Sequence, residues 1–318
     1  MTNTNGHSNK FALRKRPIIE RLVDEGFKKL ATLMAAMVAI ILIGIFIVVL
    51  TGSIEAMRRY GLNFLFVSEW NPVTNNYGAF TAIYGTIVTS IAAMTIALPL
   101  GLGTAILITE DILPYKLRAI IGVMVELLAA IPSVVLGLWA IFVMEPFIRP
   151  FLSGLNTTFG WIPLFSTKPI GPGMLPAILI LAIMILPIIT AVSRDSLNQI
   201  PLKLREASYG IGATRWSTII NILLPAAISG IAGGALLALG RALGETMAVT
   251  MIIGNSVNFN WSLLAPGNTI SAMLANQFGE ADGTQVSSLM YAALILMLIT
   301  LLVNVLSQLI VKRLSLKY

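Results

Sequence analysis

The chain has 318 residues, of which 57% are hydrophobic and 11% are charged, and its mean hydropathy is +0.87. A soluble domain carries about 25% charged residues, so this composition predicts an integral membrane protein with several spans. The net charge of +7 indicates orientation in the membrane rather than nucleic-acid binding. The absence of cysteine excludes disulfides, and the single histidine, His7, argues against a metal site of the usual kind, so neither a metal nor a cofactor is predicted.

Six apolar runs follow one another along the chain, and each is long enough to cross a hydrocarbon core of about 30 Å as a helix. They lie at 30–51, 83–108, 119–144, 173–192, 226–254 and 288–311. The sequence therefore predicts an all-α integral membrane protein with six transmembrane helices, the last five of which form a core over 83–311. Residues 1–29 are a predicted tail with an amphipathic surface helix over 10–29, 52–82 is an external loop, and 312–318 is a second tail.

The distribution of Lys and Arg predicts which parts of the chain face the cytoplasm. These residues are concentrated in the N-terminal tail, the loop after the second span, the segment 194–225 and the C-terminal tail. Because cytoplasmic loops are enriched in Lys and Arg, both termini and the segment 194–225 are predicted to be cytoplasmic. The loops on the other side carry Trp70, Tyr77 and Trp161, which we interpret either as membrane-interface anchors or as contacts for an external partner.

Small residues and prolines mark the faces and breaks of the spans. The fifth span contains Gly230, Gly233, Gly234, Ala238, Gly240 and Gly244. Glycines four apart let two helices approach closely, and we favour packing within the chain over a dimer seam. Pro99, Pro132 and Pro187 lie inside spans and predict kinks, because each removes a backbone hydrogen bond.

The polar stretch between the fourth and fifth spans carries a motif over residues 206–225. Its fixed positions are Glu206, Ala207, Ser208, Gly212, Ile222, Leu224 and Pro225. Glu206 to Tyr209 are predicted to begin a short helix, and Gly212 to permit the sharp turn that follows. Pro225 is predicted to start the fifth span, where its missing N–H costs least. A compact helix-turn-helix of this kind fits a cleft on a partner protein.

Three ionisable residues lie well inside predicted spans: Glu126, Arg241 and Glu245. Each costs about 2.5–3.5 kcal/mol at the centre of a membrane helix, so lipid exposure is disfavoured. Arg241 and Glu245 are four residues apart and can pair on one helix face, either as a purely structural pair or as a polar station on a solute path. A guanidinium matches phosphate oxygens, so the solute would be an anion. Glu126 is either protonated, paired with Arg241, or packed in an interface.

Several motifs are absent from the sequence. There is no Gly-x-x-x-x-Gly-Lys-(Ser/Thr) loop, so this chain is not expected to hydrolyse ATP itself. The single histidine rules out a Ser/His/Asp triad in the body of the chain, and no Thr-Val-Gly-Tyr-Gly filter is present. These absences argue against an enzyme and against a potassium channel.

Four groups of residues together resemble the C-type permease subunit of the phosphate-specific (Pst) ABC transporters. The first is the "EAA" spacing of the 206–225 motif: Glu-Ala-(Ala/Ser), three residues, Gly, nine residues, Ile-x-Leu-Pro. The others are Tyr77-Gly-Ala-Phe with Ile83-Tyr-Gly-Thr, Glu126-Leu-Leu-Ala-Ala-Ile-Pro-Ser, and Arg241-Ala-Leu-Gly-Glu-Thr-Met-Ala-Val with Ile252-Ile-Gly-Asn. The resemblance covers 70–318, and its one departure is Ser208 in place of the second Ala. We call residues 206–225 the EAA segment.

The resemblance implies a type I ABC importer in a bacterial cytoplasmic (inner) membrane. In that family the permease pairs with a related A-type permease subunit, two ATP-binding subunits and an extracytoplasmic phosphate-binding protein, and the EAA segment grips the ATPase. Our working hypothesis is alternating access, in which phosphate passes near Arg241 and closure of the ATPases rocks the spans as rigid bodies.

Three alternatives remain open from the residues. The EAA spacing alone also fits an ABC permease for sulfate, molybdate or a polyamine. A proton-coupled secondary transporter could use Glu126 and Glu245 as proton carriers. A structural scaffold for a membrane complex is a third reading, against which the charges inside the spans argue.

Overall fold

The computed structural model describes residues 18–315, which form helices and one two-stranded hairpin. The helices are α1 Ile18–Tyr60, α2 Phe80–Thr109, α3 Tyr115–Ala130, α4 Ser133–Trp139, α5 Glu145–Phe159, α6 Met174–Asn198, α7 Leu202–Gly210, α8 Arg215–Thr218, α9 Leu224–Gly244, α10 Met247–Ile252, α11 Ile270–Gln277 and α12 Gly283–Ser315. The hairpin pairs β1 Trp70–Asn71 with β2 Asn76–Tyr77 in antiparallel register. Short 3-10 turns occupy Gly61–Leu65 and Pro163–Phe165.

Among the described residues, six helical segments are long and apolar enough to cross a membrane. They are Leu22–Leu65, Phe80–Thr109, Ser133–Phe159, Met174–Asn198, Arg215–Gly244 and Gly283–Arg313. The prediction of an all-α membrane protein with six spanning helices is confirmed.

The chain divides into two units, one that ends at Val48 and one that begins at Val49, and α1 runs through the boundary. In the first unit the side chains from Leu30 to Ile43 are exposed on every side of the helix. A helix that is apolar all round is typical of a span surrounded by lipid. The surface helix predicted over 10–29 falls partly on residues 1–17, which lie outside the described part of the chain. Residues 18–29 form the first turns of α1 itself.

The core of the second unit is built around α6. Its side chains Ile178, Leu181, Ile185 and Ile189 are buried, and it packs against α2 on one side and α9 on another. Small residues allow this close approach. A Cβ added at Gly230 would lie 2.1 Å from the Ser196 Oγ, and one at Gly234 would lie 2.8 Å from the Val192 Cβ. For these two glycines, the interpretation of packing within the chain is confirmed.

Two of the predicted spans are interrupted. The run 119–144 was predicted as one helix, but α3 ends at Ala130, and Ile131 adopts an extended conformation. The residue before a proline is pushed out of the α region, and Pro132 therefore breaks the helix rather than only kinking it. The run 226–254 is likewise divided, because α9 ends at Gly244, Glu245 is extended and α10 begins at Met247.

Two other prolines are accommodated by π-helical turns. Ala140–Met144 precedes Pro146, and Ile219–Leu223 precedes Pro225. In the second turn the Leu224 N–H donates to the Ile219 carbonyl, five residues earlier, which shifts the register just before the proline. Pro225 lies in the first turn of α9, as predicted, but the helical path does not begin there. The helical path runs without interruption from Arg215 to Gly244, and the π-turn admits the proline inside it.

The hairpin closes an aromatic cluster at one end of the second unit. Trp70 and Tyr77 are 7% and 3% exposed, their rings meet edge to face at 4.9 Å, and Phe64 stacks on Tyr291 at 4.6 Å. Neither interpretation offered for Trp70 and Tyr77 was right, because both rings are core residues. Burial raises the pKa of the Tyr77 hydroxyl above its ordinary value, which keeps the phenol neutral.

The hairpin and the EAA segment lie at opposite ends of α2. The helix begins at Phe80, just after the hairpin, and ends at Thr109. The next residue, Glu110, contacts Arg205 of α7. Because α2 has 30 residues, these two ends are separated by about 45 Å.

Candidate functional site

The EAA segment forms a helix, a turn and a second helix. Glu206, Ala207 and Ser208 lie in the second half of α7, which begins at Leu202 rather than at Glu206. Pro201 directly precedes that helix, in the position where a residue without an N–H costs nothing. Gly212 has φ +86°, a conformation that residues with a Cβ avoid, so the turn predicted there is confirmed.

Buried hydroxyls hold the two helices together. The Ser208 and Thr218 hydroxyl oxygens lie 2.8 Å apart in a buried contact between α7 and α8. The Thr218 hydroxyl donates to the Thr214 carbonyl at 3.0 Å, so the Ser208 hydroxyl is the donor to Thr218. Thr214 also caps α8, because its side-chain oxygen accepts the Ser217 N–H at 3.2 Å. Ser208, which departs from the family pattern, therefore makes a hydrogen bond that alanine could not make.

The loop presents an exposed apolar surface. Leu202, Ile211 and Trp216 are 63%, 86% and 61% exposed, although they belong to a loop that is otherwise polar. Exposed apolar surface of this kind is found at sites of protein interaction. Ile222, Leu224 and Pro225, the last positions of the motif, instead lie in the π-turn and the start of α9, partly covered by the bundle.

A second candidate site lies where the two interrupted spans meet α6. A cavity of about 170 Å³ is lined by Ile131 at the break between α3 and α4, by Pro187 near the middle of α6 and by Arg241 in the last turn of α9. The Arg241 side chain is 46% exposed, so its guanidinium is open to this space. Helix breaks inside a membrane leave backbone groups that require protein or water partners, and such breaks are found where a cavity is lined.

Arg241 and Glu245 meet as the spacing predicted. The Arg241 Nη2 lies 3.8 Å from the Glu245 Oε2, which is beyond hydrogen-bond distance. Glu245 is buried, with its side chain 7% exposed, and its Oε1 lies 3.5 Å from the Ala248 N–H at the start of α10. The carboxylate is thus held at the helix break, and the guanidinium lies beside it in the lining of the cavity.

Glu126 is placed elsewhere. Its Oε1 lies 3.3 Å from the Arg194 Nη1, and its side chain is 68% exposed. Arg194 is in the last turns of α6, towards the end of the bundle that carries the EAA segment. The partner of Glu126 is Arg194 rather than Arg241, and its exposed side chain is not packed in an interface within the described part of the chain. The structure therefore brings together two of the three predicted charged residues.

Two ion pairs with buried carboxylates were not predicted from the sequence. Arg149 binds Glu145 through two hydrogen bonds of 2.8 and 2.6 Å, and Glu145 is 2% exposed. Their spacing, with Glu four residues before Arg, is the favourable helical order and was a usable signal. Arg205 contacts Glu110 at 3.1 Å, with side chains 16% and 9% exposed. These two residues are distant in sequence, so no local pattern could have revealed their contact.

The comparisons with known proteins agree on one family. The sequence profile described as "Binding-protein-dependent transport system inner membrane component" matches residues 97–316. The phosphate transport system permease protein PstC of Xylella fastidiosa is 44% identical over 310 residues, which cover 95% of this chain and 94% of that protein. PstC of Mesorhizobium japonicum is 44% identical over 300 residues, covering 92% and 91%, and a probable PstC of Methanocaldococcus jannaschii is 37% identical over 308 residues, covering 92% and 95%.

Solved structures of the same kind share the fold. The bacterial alginate ABC transporter in complex with its alginate-bound periplasmic protein matches with a TM-score of 0.60 at 18% identity, covering 90% of this chain and 96% of that one. The inward-facing MetNI methionine ABC transporter matches with a TM-score of 0.55 at 19% identity, covering 73% and 94%. At these identities the likeness shows the fold alone, that of a type I ABC importer permease.

This chain belongs to the binding-protein-dependent transport system inner membrane components, the multi-pass permeases of ABC importers. Within that family its relatives are the phosphate transport permeases PstC, which it matches over almost their whole length. It is a transport subunit rather than an enzyme.

Proposed function

We propose that this chain is the membrane permease subunit of an ATP-driven importer of inorganic phosphate in a bacterial cytoplasmic (inner) membrane. It pairs with a related A-type permease, two ATP-binding subunits and an extracytoplasmic phosphate-binding protein. The full-length relatives named as phosphate permeases support the solute, and the periplasmic protein bound to the alginate transporter supports a binding-protein partner.

In this proposal the EAA segment docks on the ATPase. Leu202, Ile211 and Trp216 supply an apolar surface, and Glu206 lies exposed on the same loop. The Ser208–Thr218 contact and the Gly212 turn fix the angle between α7 and α8, so the surface is presented in one shape. A preformed shape lowers the ordering cost of binding.

The sidedness follows from charge. The EAA segment and the start of α3, with Lys116 and Arg118, lie at one end of α2, and the hairpin lies at the other. The end that carries the EAA segment is rich in Lys and Arg, which supports a cytoplasmic location for that end and for both termini. The hairpin end then faces the binding protein.

The position of Arg241 is the observation that most supports an anionic solute. A half-exposed guanidinium in a cavity at two helix breaks, near the middle of α6, is costly unless it serves a ligand. Discontinuous helices are a recurring way to build a binding station in transporters. The planar guanidinium can donate two parallel N–H groups to two oxygens of one phosphate at once.

Glu245 acts as the resting partner of Arg241. At 3.8 Å the pair is loose, so an arriving anion competes with a weak contact rather than a tight salt bridge. ATP binding on the partner opens the hairpin side, phosphate passes Arg241, and hydrolysis restores the inward-open state. Glu126 contributes to the path near its cytoplasmic end, where it pairs with Arg194.

The test is uptake of labelled phosphate into proteoliposomes that hold the complete complex, measured against labelled sulfate. Phosphate uptake that needs both ATP and the binding protein supports the proposal. Sulfate uptake in place of phosphate uptake would mean that the importer carries another solute. Uptake that survives without ATP and collapses with the proton gradient would favour a secondary transporter that uses Glu126 and Glu245.

A further inference from the structure

Helix α7 has little apolar packing to hold it. Ser208 is buried and Arg205 is half-buried, whereas the remaining residues of α7 are exposed. Short helices gain most of their stability and position from the burial of an apolar face, which α7 lacks. Its position relative to the spans therefore depends on the polar contacts of these two residues. The Ser208 hydroxyl contacts α8, whereas the Arg205 guanidinium bonds directly to residues at the ends of α2 and α6.

Arg205 joins α7 to the ends of two spans. Its Nη2 donates to the Glu110 Oε1 at 3.1 Å and to the Leu197 carbonyl at 3.0 Å. Glu110 directly follows α2, and Leu197 is in the last turn of α6. Because both side chains of the Arg205–Glu110 pair are largely buried, removing one partner leaves the other charge uncompensated.

Two further arginines, Arg215 and Arg118, contact the connection between α2 and α3. The Arg215 Nη1 of α8 donates to the Asp111 carbonyl, and the Arg118 Nη1 of α3 lies 2.7 Å from the Asp111 Oδ1. A cavity of about 200 Å³ lies between these groups, lined by Glu110, Arg205 and Arg215 among others. This space leaves α7 room to shift without a clash in the core.

The Arg205–Glu110 pair does not use all of the hydrogen-bond donors of its guanidinium. The Arg205 Nε is buried and has no hydrogen-bond partner among residues 18–315. A guanidinium can bind a carboxylate through two parallel N–H groups, and here it donates through one nitrogen. A second, two-bond geometry is therefore available when α7 moves relative to Glu110. A link that can hold in two positions suits an element that is displaced during transport.

We propose that the Arg205–Glu110 pair is the link through which movement of α7 is passed to α2 and α3. This inference rests on the proposed function, because α7 is displaced only if an ATPase acts on it. Both side chains are too buried to form the docking surface, so they are positioning residues. Their loss should uncouple hydrolysis from uptake without releasing the ATPase.

The experiment compares Arg205→Gln, Glu110→Gln and the double variant in the complete complex in proteoliposomes. Three quantities are measured for each: the ATPase that co-purifies, the rate of ATP hydrolysis, and phosphate taken up per ATP hydrolysed. Lys116→Gln is the matched control, because it makes the same change of charge at an exposed residue of α3. Wild-type uptake in the same assay tests the proposed function separately, so a failure there is distinguished from a failure of the link.

Each single variant is expected to keep its ATPase and to lower phosphate uptake per ATP at least about tenfold. The double variant is expected to be no worse than the more affected single one, because the pair acts as a unit. A change of less than about twofold in either single variant, or effects that add, would overturn the inference. Loss of the ATPase from the complex would overturn it too, since that result assigns the pair to docking.

Discussion

At the scale of single residues, Arg241 determines what the cavity can bind. Its guanidinium is half-exposed while its partner Glu245 is buried, so the positive charge rather than the negative one faces the open space. Glu245 is extended and lies just beyond the end of α9, so the pair does not share a helix face, and its charged atoms are 3.8 Å apart. The local field at the two helix breaks therefore favours an anion.

Replacing Arg241 tests this role. Arg241→Ala is expected to lower phosphate uptake at least about 30-fold, because an anion in a low-dielectric cavity loses a charged double hydrogen bond. Arg241→Lys should retain part of the activity, since an ammonium supplies charge without the planar fork. Uptake is measured in proteoliposomes with the amount of assembled complex as the reference. Leu237→Ala, one turn earlier and also exposed, controls for side-chain truncation on α9. Near-normal uptake by Arg241→Ala would refute the assignment.

The two hydroxyls between α7 and α8 predict an asymmetry. Ser208→Ala leaves Thr218 bonded to the Thr214 carbonyl and should cost less than about 1 kcal/mol. Thr218→Val leaves the buried Ser208 hydroxyl without its partner and should cost about 1–3 kcal/mol. The midpoint of thermal unfolding of the purified complex, with retention of its ATPase as a second readout, orders the two variants. Equal shifts would mean that the contact contributes no specific stability.

At the scale of elements, the turn at Gly212 decides the shape of the docking surface. Gly212→Val forces a branched residue to φ +86°, at a cost of about 1–2 kcal/mol or more, and should change the angle between α7 and α8. Co-purification of the ATPase with the permease is expected to fall. Gly210→Ala is the control, because that glycine lies in helical α7 and an added Cβ would meet nothing within 4 Å. If the Gly212→Val complex keeps its ATPase, the conformation of this turn is not required for docking.

The elements also show where sequence patterns are reliable. Long apolar runs gave the number of spans, because the hydrocarbon thickness fixes how many residues a crossing requires. Breaks within the runs were harder to predict. Pro99 and Pro187 lie inside intact helices, whereas Pro132 divides α3 from α4. No proline divides α9 from α10, so that break depends on the packing of Glu245 and α10 rather than on a local signal.

At the scale of the whole molecule, the orientation in the membrane can be tested directly. The chain has no cysteine, so single cysteines can be introduced without a background. Lys203→Cys in α7 and Val73→Cys in the hairpin are both exposed, at opposite ends of α2. In intact cells a membrane-impermeant maleimide is expected to label the Val73 variant from outside and the Lys203 variant only after lysis. The reverse pattern would invert the proposed topology and remove the ATPase-docking role from the EAA segment.

Composition, run length and motif spacing were sufficient for the membrane class, the number of spans, the family and the EAA spacing, since each of these depends on residues that are close together in the sequence. The partners of charged residues were decided only by the tertiary structure. Glu126 meets Arg194, and Arg205 meets Glu110 across 95 positions of sequence. Which charges come together depends on how α2, α3, α6 and α7 are juxtaposed, and that arrangement arises from packing among many distant residues. Trp70 and Tyr77 are core residues for the same reason. The hairpin buries both rings in a cluster with residues of α12, away from lipid.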